Sequence, residues 1–193
     1  MFIDYPLILA SASPRRQQIL ADAGIFFTIK TKSVPEIYPK DMPAPKVPEF
    51  LSKLKADSLK EELNNEVVLA ADTIVSLNGL ILEKPKDRQH AIEMLSMLSG
   101  KMHEVYTGVT ILNKEKSLSF SDVSEVYFKD LSQKDIEHYI DNFKPYDKAG
   151  AYGIQEWIGM IGIRKINGSF YNVMGLPIHL VIDELVKFKE ATY

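Results

Sequence analysis

The chain has 193 residues, of which 46% are hydrophobic and 25% charged, as in a globular protein with a sizeable core. It has no cysteine, which excludes disulfides and thiolate metal sites and fits a reducing compartment. A net charge of -3 argues against a general nucleic-acid binder, although a few converging cations can still bind a small polyanion. The N-terminus lacks the basic region of a signal peptide, and no apolar run approaches the ~20 residues of a membrane span. We therefore expect a cytoplasmic protein without nucleic-acid or membrane partners.

Hydrophobic patterns predict strands along the whole chain. The uninterrupted apolar run Val67–Ala71 is typical of a strand buried on both faces. The Asn78-Gly79 pair predicts a hairpin turn. The predicted strands are Leu7–Ala10, Ile25–Thr31, Val67–Ala71, the hairpin Val75–Leu82, Val105–Leu112, Leu118–Phe128, Ile161–Ile166 and Phe170–Val173.

Capping and helix-breaking residues predict the helices between these strands. Gly24 is a C-cap candidate, Asp87 can cap a helix, and Ser132 with Asp135 comes close to a capping box. Five prolines in residues 35–48 predict an irregular loop. The fold class is therefore α/β with a mixed sheet flanked by helices, in one domain over residues 1–193. The predicted helices are Arg15–Ala23, Pro48–Leu63, Asp87–Leu98, Ser132–Phe143 and Pro177–Phe188.

The segment Ser11-Ala12-Ser13-Pro14-Arg15-Arg16 joins the first strand to the first helix. Ligands of α/β folds bind at such junctions, and a helix N-terminus attracts anions. Arginine forks match phosphate oxygens, and the serine hydroxyls add donors. The pattern predicts a triphosphate site, with an ordinary serine cap and surface arginines as the alternative.

The segment Ala70-Ala71-Asp72-Thr73 ends the buried apolar strand on an aspartate. A buried acid is unfavourable unless it is paired or bound to a cation, and such carboxylates commonly hold Mg²⁺ or activate water. A turn or cap aspartate is the alternative. Lys55, Lys84 and Glu36 are weak signals when each is taken alone, since most lysines and glutamates are solvated.

Two later segments are rich in small and polar residues. Asp147–Gln155 ends in an amide that can recognise a base edge, and Gly168–Pro177 enters the last helix. The four histidines lack metal-ligand spacing, so we assign no zinc, and His103 is expected to be structural. The sequence patterns of a P-loop, of a dinucleotide-binding fold and of a nucleophile elbow do not occur.

Six motifs in this order resemble the Maf family over nearly the whole chain. They are the S-x-S-P-R-R of Ser11–Arg16, the A-D-T of Ala71–Thr73, the K-P of Lys84-Pro85, the L-S-G, H-x-V and T-G-V of residues 98–109, the D-K-A-G-A-Y-x-I-Q of Asp147–Gln155, and the N-V-x-G-L-P of Asn172–Pro177.

The resemblance implies hydrolysis of nucleoside triphosphates between the α and β phosphates, with Mg²⁺ or Mn²⁺. It implies an elongated, two-lobed α/β fold of the inosine triphosphatase type with a central cleft, and often a homodimer. Asp72 inherits the role of general base, and Arg15, Thr73 and Gln155 match positions of substrate choice. We expect Ser11, Arg15, Arg16, Lys55 and Lys84 to hold the triphosphate, and Glu36 with Asp72 to bind the metal.

The D-K-A-G-A-Y-x-I-Q motif and the G-S-x-x-N-V-x-G-L-P motif of Gly168–Pro177 resemble the branch of the family that acts on dTTP and UTP. Two departures bear on this assignment: Glu156 follows Gln155 where a glycine is commoner, and Glu83 precedes the K-P motif where a glycine is frequent. The alternatives are a pyrophosphatase of 7-methyl-GTP or another modified nucleotide, and a non-catalytic nucleotide-binding regulator of cell division, because the family has been linked to septum formation.

Overall fold

The computed structural model describes residues 3–190, and side chains as far as residue 188. Within these residues, none of the helices has the length and apolar character needed to cross a lipid bilayer. The strands are β1 Leu7–Leu9, β2 Thr28–Ile29, β3 Val67–Leu77, β4 Leu80–Leu82, β5 Met102–Leu112, β6 Ser117–Phe128 and β7 Ile163–Asn167. The α-helices are α1 Pro14–Asp22, α2 Val47–Asp57, α3 Arg88–Leu98, α4 Gln133–Phe143, α5 Trp157–Gly162, α6 Phe170–Met174 and α7 Ile178–Glu190.

The strands form one mixed sheet in the order β2-β1-β3-β5-β6-β7, with β4 added to β3. Strand β1 pairs in parallel with β2 and with β3, whereas the β3–β4 and β6–β7 pairs are antiparallel. This arrangement confirms the predicted α/β class with a mixed sheet.

The chain forms two compact units, and β3, β5 and β6 contribute residues to both. The first unit comprises the described residues of Met1–Asp72, Thr107–Asp122 and Gly175–Tyr193, and the second comprises Thr73–Tyr106 and Val123–Met174. The assignment of a single domain stays a prediction.

In the first unit, α2 packs directly against the sheet. The backbone of Gly108 comes so close to the start of α2 that a Cβ atom there would lie 2.2 Å from the amide nitrogen of Glu49. A few residues further on, the hydroxyls of Ser52 on α2 and Thr110 on β5 are hydrogen-bonded at 2.9 Å. The close approach fixes the position of α2. Ala56 of α2 belongs to an apolar cluster with residues of the sheet and of the segment after α2, namely Ile8, Ala10, Leu59, Leu63, Val68, Ala70 and Leu112.

In the second unit, local sequence signals produce the predicted elements. Asn78 and Gly79 adopt left-handed backbone angles, with φ of 52° and 83°, and close the β3–β4 hairpin. The Asp87 side chain accepts a hydrogen bond from the amide of His90 and so caps α3. Ser132 and Asp135 form a complete capping box at the start of α4.

Several predicted boundaries or elements are wrong, among them the helix Pro48–Leu63, which ends at Asp57, and the strand Ile161–Ile166, whose first two residues belong to α5. Phe170–Val173 is helical rather than extended: the Ser169 hydroxyl accepts a hydrogen bond from the amide of Asn172, and this helix-start geometry outweighs the β propensity of the segment. Strand β3 does not end at Asp72 but continues to Leu77, because it pairs there with β4. The predicted strand Ile25–Thr31 shrinks to the two residues of β2.

Candidate active site

The junction of β1 and α1 places Ser11 and Arg16 side by side. Pro14 occupies the first turn of α1, as its fixed φ angle favours. The Ser11 hydroxyl oxygen accepts one bond from the amide of Ser13 at 3.3 Å and one from Nη1 of Arg16 at 3.2 Å. Ser11 is only 7% exposed, so it organises this turn from within.

A second hydrogen bond fixes the guanidinium group of Arg16. Its Nε donates to the carbonyl oxygen of Gly175 at 2.8 Å. Burial lowers the pKa of Arg16, whereas the carboxylates of Asp72 and Glu36 act in the opposite direction. Asp72 and Glu36 therefore lie within electrostatic range of Arg16, all inside the first unit. Arg15, its half-buried neighbour in the first turn of α1, adds a second positive charge.

Asp72, Lys55 and Glu36 converge within the same unit. Lys55 Nζ lies 2.5 Å from Oδ1 of Asp72 and 3.0 Å from Oε1 of Glu36. Strand β3 supplies Asp72, α2 supplies Lys55, and the proline-rich loop supplies Glu36. Asp72 is buried, so its charge needs a partner, and Lys55 is that partner.

The donor set of this group fits a hard divalent cation. Two carboxylates meet around one positive charge, and Mg²⁺ in proteins commonly takes one or two carboxylates together with substrate phosphates. Among residues 3–190, no group of three or more acidic, histidine or cysteine side chains could hold a metal by itself. Glu36 and Asp72 therefore suit a cation whose remaining ligands come from substrate and water.

The other predicted site residues belong to the second unit. Thr73 follows Asp72 on β3 and is partly buried. Lys84 is exposed in the connection between β4 and α3. Gln155 is exposed in the turn that precedes α5. Their action together with the residues of the first unit stays a prediction.

A buried polar network surrounds the turn that carries Gln155. Tyr139 donates its hydroxyl proton to Oε2 of Glu156 and accepts a bond from the amide of Gly153 at 3.0 Å. Lys148 Nζ lies 3.0 Å from Oε1 of Glu156 and 2.8 Å from Oδ1 of Asp147. Tyr139 and Lys148 are both buried.

Sequence patterns did not identify several of these contributors. The Gly175 carbonyl that holds Arg16 lies in the N-V-x-G-L-P motif, and a positive φ of 116° explains the glycine there. Tyr139 has the spacing of a core residue in a helix, so the hydrophobic pattern of the sequence does not indicate the hydrogen bonds of its hydroxyl. The one signal for Glu156 was its departure from the commoner family pattern beside Gln155.

His103 has a structural environment in the second unit. It is 1% exposed, its Nε2 shares a hydrogen bond of 2.8 Å with the Tyr152 hydroxyl, and its ring stacks on Phe128. Burial lowers its pKa to about 4, so the ring is neutral near neutral pH. These contacts support the predicted structural role.

The fold and the site together define an α/β protein with an arginine-bearing helix start near a lysine-linked pair of carboxylates. The family model of the Maf-like proteins matches residues 6–188, and the chain belongs to the Maf family. It is 53% identical over 191 residues to a dTTP/UTP pyrophosphatase of Cytophaga hutchinsonii, covering 97% of this chain and 88% of the relative. It is 47% identical to a dTTP/UTP pyrophosphatase of Bacteroides thetaiotaomicron, covering 95% and 96%.

The fold also has a counterpart among solved structures. The Ham1 protein of Staphylococcus aureus superposes with a TM-score of 0.54 at 16% sequence identity, covering 95% of this chain and 99% of that protein. At this identity the likeness concerns the fold alone. It agrees with the inosine-triphosphatase-like fold expected from the sequence.

Proposed function

We propose that this protein hydrolyses dTTP and UTP between the α and β phosphates, giving a nucleoside monophosphate and pyrophosphate. The observation that carries the proposal is the convergence of Asp72, Lys55 and Glu36 within electrostatic range of Arg16. Cations for a polyanion and carboxylates for a metal-bound phosphate then lie in one unit. Relatives 53% and 47% identical to this chain carry the name dTTP/UTP pyrophosphatase.

The triphosphate is assigned to the cationic groups. Arg16 is held by Ser11 and Gly175, so its guanidinium group is positioned before substrate arrives. In both of its hydrogen bonds the Ser11 oxygen is the acceptor, which leaves the hydroxyl proton for a phosphate oxygen. Arg15 adds a positive charge at the start of α1, and Lys55 adds one beside the two carboxylates. Lys84 is proposed as a further phosphate contact.

Glu36 and Asp72 would hold the divalent cation, Mg²⁺ or Mn²⁺. When bound, such a cation neutralises charge on the phosphates and on the pyrophosphate leaving group. We assign to Asp72 the orientation and deprotonation of the attacking water. Since Oδ1 already accepts a bond from Lys55, Oδ2 is the oxygen assigned to the water proton.

The bond changes follow from this arrangement. The water oxygen bonds to the α-phosphorus, its proton passes to Asp72, and the bond from the α-phosphorus to the bridging oxygen breaks. Pyrophosphate leaves with that oxygen. Arg16 and Lys55 stabilise negative charge that develops during this displacement, which is the main source of acceleration in such reactions.

Recognition of the base is assigned to Gln155 and Thr73. A side-chain amide both donates and accepts, and the edge of uracil or thymine offers an N–H beside a carbonyl oxygen. The amide can therefore pair with that edge, whereas cytosine presents the opposite pattern. A cytoplasmic location and a homodimer stay predictions from the sequence.

The test is pyrophosphate release with Mg²⁺ from dTTP, UTP, CTP, GTP, ATP, 5-methyl-UTP and 7-methyl-GTP. Preference for dTTP and UTP is the expected result. Preference for 7-methyl-GTP would overturn the assigned substrate while keeping pyrophosphatase chemistry. No release from any nucleotide, together with tight nucleotide binding, would replace the enzyme with a binding regulator.

A further inference from the structure

Gln155 is presented by a four-residue turn. The amide of Glu156 donates to the carbonyl of Gly153 at 3.0 Å, which closes the turn over residues 153–156. Ile154 is buried and Gln155 is exposed, so the turn directs one side chain into the core and its neighbour to the surface. The direction of Gln155 therefore depends on how the two ends of this turn are held.

The Tyr139 hydroxyl holds both ends at once. It accepts from the amide of Gly153, where the turn begins, and donates to the carboxylate of Glu156, where the turn ends. Burial, followed by the bond to Glu156, raises the pKa of Tyr139 above its ordinary value, so the phenol keeps the proton that it donates. The Tyr139 ring is fully buried and stacks on the ring of Phe143, with 5.1 Å between the ring centroids, so the position of the hydroxyl is fixed.

Lys148 binds the other carboxylate oxygen of Glu156 at 3.0 Å. Glu156 occupies the N-cap position of α5, yet its side chain makes no capping bond. The Glu156 carboxylate therefore bonds to Tyr139 and Lys148 rather than to the backbone amides of α5. Both of its oxygens have defined partners, and so its direction is determined from two sides.

The backbone around the turn leaves little room for adjustment. A Cβ atom on Gly159 of α5 would lie 1.8 Å from the carbonyl oxygen of Ile154. A Cβ atom on Gly153 would lie 2.8 Å from Cδ of Glu156. The turn therefore lies in close contact with the backbone of α5 and with the Glu156 side chain, and it has little room to move.

We propose that Tyr139, Lys148 and Glu156 are positioning residues that set the direction of Gln155 and thereby the choice between uracil and cytosine nucleotides. The proposal rests on the base-recognition role assigned to Gln155. An amide held in one orientation rejects a base edge of opposite donor and acceptor pattern, because buried polar groups would be left unpaired. An amide free to rotate accepts both edges.

The test compares kcat/KM for UTP with kcat/KM for CTP in Gln155→Ala, Glu156→Gln and Tyr139→Phe. The ratio of the two constants does not depend on the fraction of folded protein, so a partly unfolded variant still gives a valid result. We expect each variant to lower the UTP preference by about tenfold, the loss expected for one misdirected hydrogen bond. Glu156→Gln and Tyr139→Phe should have no further effect in a Gln155→Ala background.

Asp141→Asn is the matched control. Asp141 lies on α4 two residues after Tyr139, and its exposed side chain pairs with Arg88 of α3 at 2.6 Å rather than with a residue of the turn. It should leave the ratio unchanged. A full UTP preference in Glu156→Gln and Tyr139→Phe, with a reduced one in Gln155→Ala, would overturn the positioning role alone. A full preference in Gln155→Ala would instead overturn the role of Gln155, and with it the inference.

Discussion

The ammonium nitrogen of Lys55 lies 2.5 Å from Oδ1 of Asp72, and both side chains are mostly buried, at 18% and 12% exposure. A carboxylate so enclosed is costly without a partner, and the lysine offsets that cost. Glu36 binds the same ammonium group from the proline-rich loop, where it is half exposed. The ion pair therefore fixes Asp72 on β3, while the Glu36 carboxylate stays half exposed to solvent.

Asp72→Asn should keep the fold and lower the rate of pyrophosphate release from dTTP by about 10²–10⁴-fold, the usual effect of losing a general base. Asparagine has the same shape and can still accept a bond from Lys55, but it cannot take a proton from water. Steady-state kinetics with Mg²⁺ measures the rate, and thermal unfolding checks the fold. Asp57→Asn, which removes an exposed ion pair with Lys53 on α2, is the control. Near-normal turnover in Asp72→Asn would remove Asp72 from the mechanism.

Glu36→Gln should raise the Mg²⁺ concentration that gives half-maximal activity by about tenfold, because an amide is a weaker ligand than a carboxylate for this cation. A chelator should abolish the activity of the unmodified protein, and added Mg²⁺ should restore it. A titration of the rate against Mg²⁺ measures both effects. Glu62→Gln is the matched control, since Glu62 is likewise a partly exposed glutamate of the first unit that pairs with lysine, in this case with Lys30 and Lys32. Identical Mg²⁺ dependence in the two variants would exclude Glu36 as a ligand.

Gly108→Ala should weaken both stability and activity. The added methyl group would lie 2.2 Å from the backbone of Pro48 and Glu49, so α2 would have to move, and α2 carries Lys55. We expect the free energy of unfolding to fall by about 1–3 kcal/mol. Gly24→Ala provides the comparison, since φ is 71° there but nothing lies within 4 Å of the new atom. Chemical denaturation should show a loss of about 1 kcal/mol for that variant, with normal turnover. Equal turnover in the two variants would contradict the packing argument.

His103 should make the folded state less stable in acid. Burial lowers its pKa from 6.5 to about 4, so between these values the unfolded chain binds a proton that the folded chain does not. The free energy of unfolding therefore rises with pH across this window and is constant above it, with a contribution of up to about 3 kcal/mol. Denaturation curves between pH ~7 and ~4.5 should show a shallower dependence in His103→Gln than in the unmodified protein. His138→Gln, at an exposed position, should keep the full slope. If the free energy of unfolding depends on pH in the same way in the unmodified protein and in both variants, His103 is not buried in its neutral form.

Sequence patterns were sufficient where structure depends on local chemistry. The Asn78-Gly79 hairpin and the caps at Asp87 and Ser132 follow from backbone preferences of single residues. The helix Phe170–Met174 was missed because its aromatic and β-branched residues favour strands, while a single Ser169 contact decides the outcome. The extension of β3 past Asp72 depends on its pairing with β4, which composition does not reveal.

The residues of the candidate site likewise include some that the sequence indicates by residue type and others whose contacts depend on packing. The serine and arginines before α1 indicate an anion site by residue type. The pairing of Glu36 with Asp72 as metal ligands is predicted only with the help of the family resemblance. The ion pair of Lys55 with Asp72 is not predicted, since Lys55 is expected at the triphosphate. Neither lysine nor glutamate is informative alone, because their meeting depends on how α2 and the proline-rich loop pack. The link between Tyr139 and Glu156 joins residues 17 positions apart, and no periodicity predicts such a contact.

Attack of water on the α-phosphorus can be followed by hydrolysing dTTP in ¹⁸O-labelled water and analysing the products by mass spectrometry. One labelled oxygen should enter the nucleoside monophosphate, and pyrophosphate should carry none. Label in pyrophosphate, or release of free phosphate with a nucleoside diphosphate, would contradict attack on the α-phosphorus.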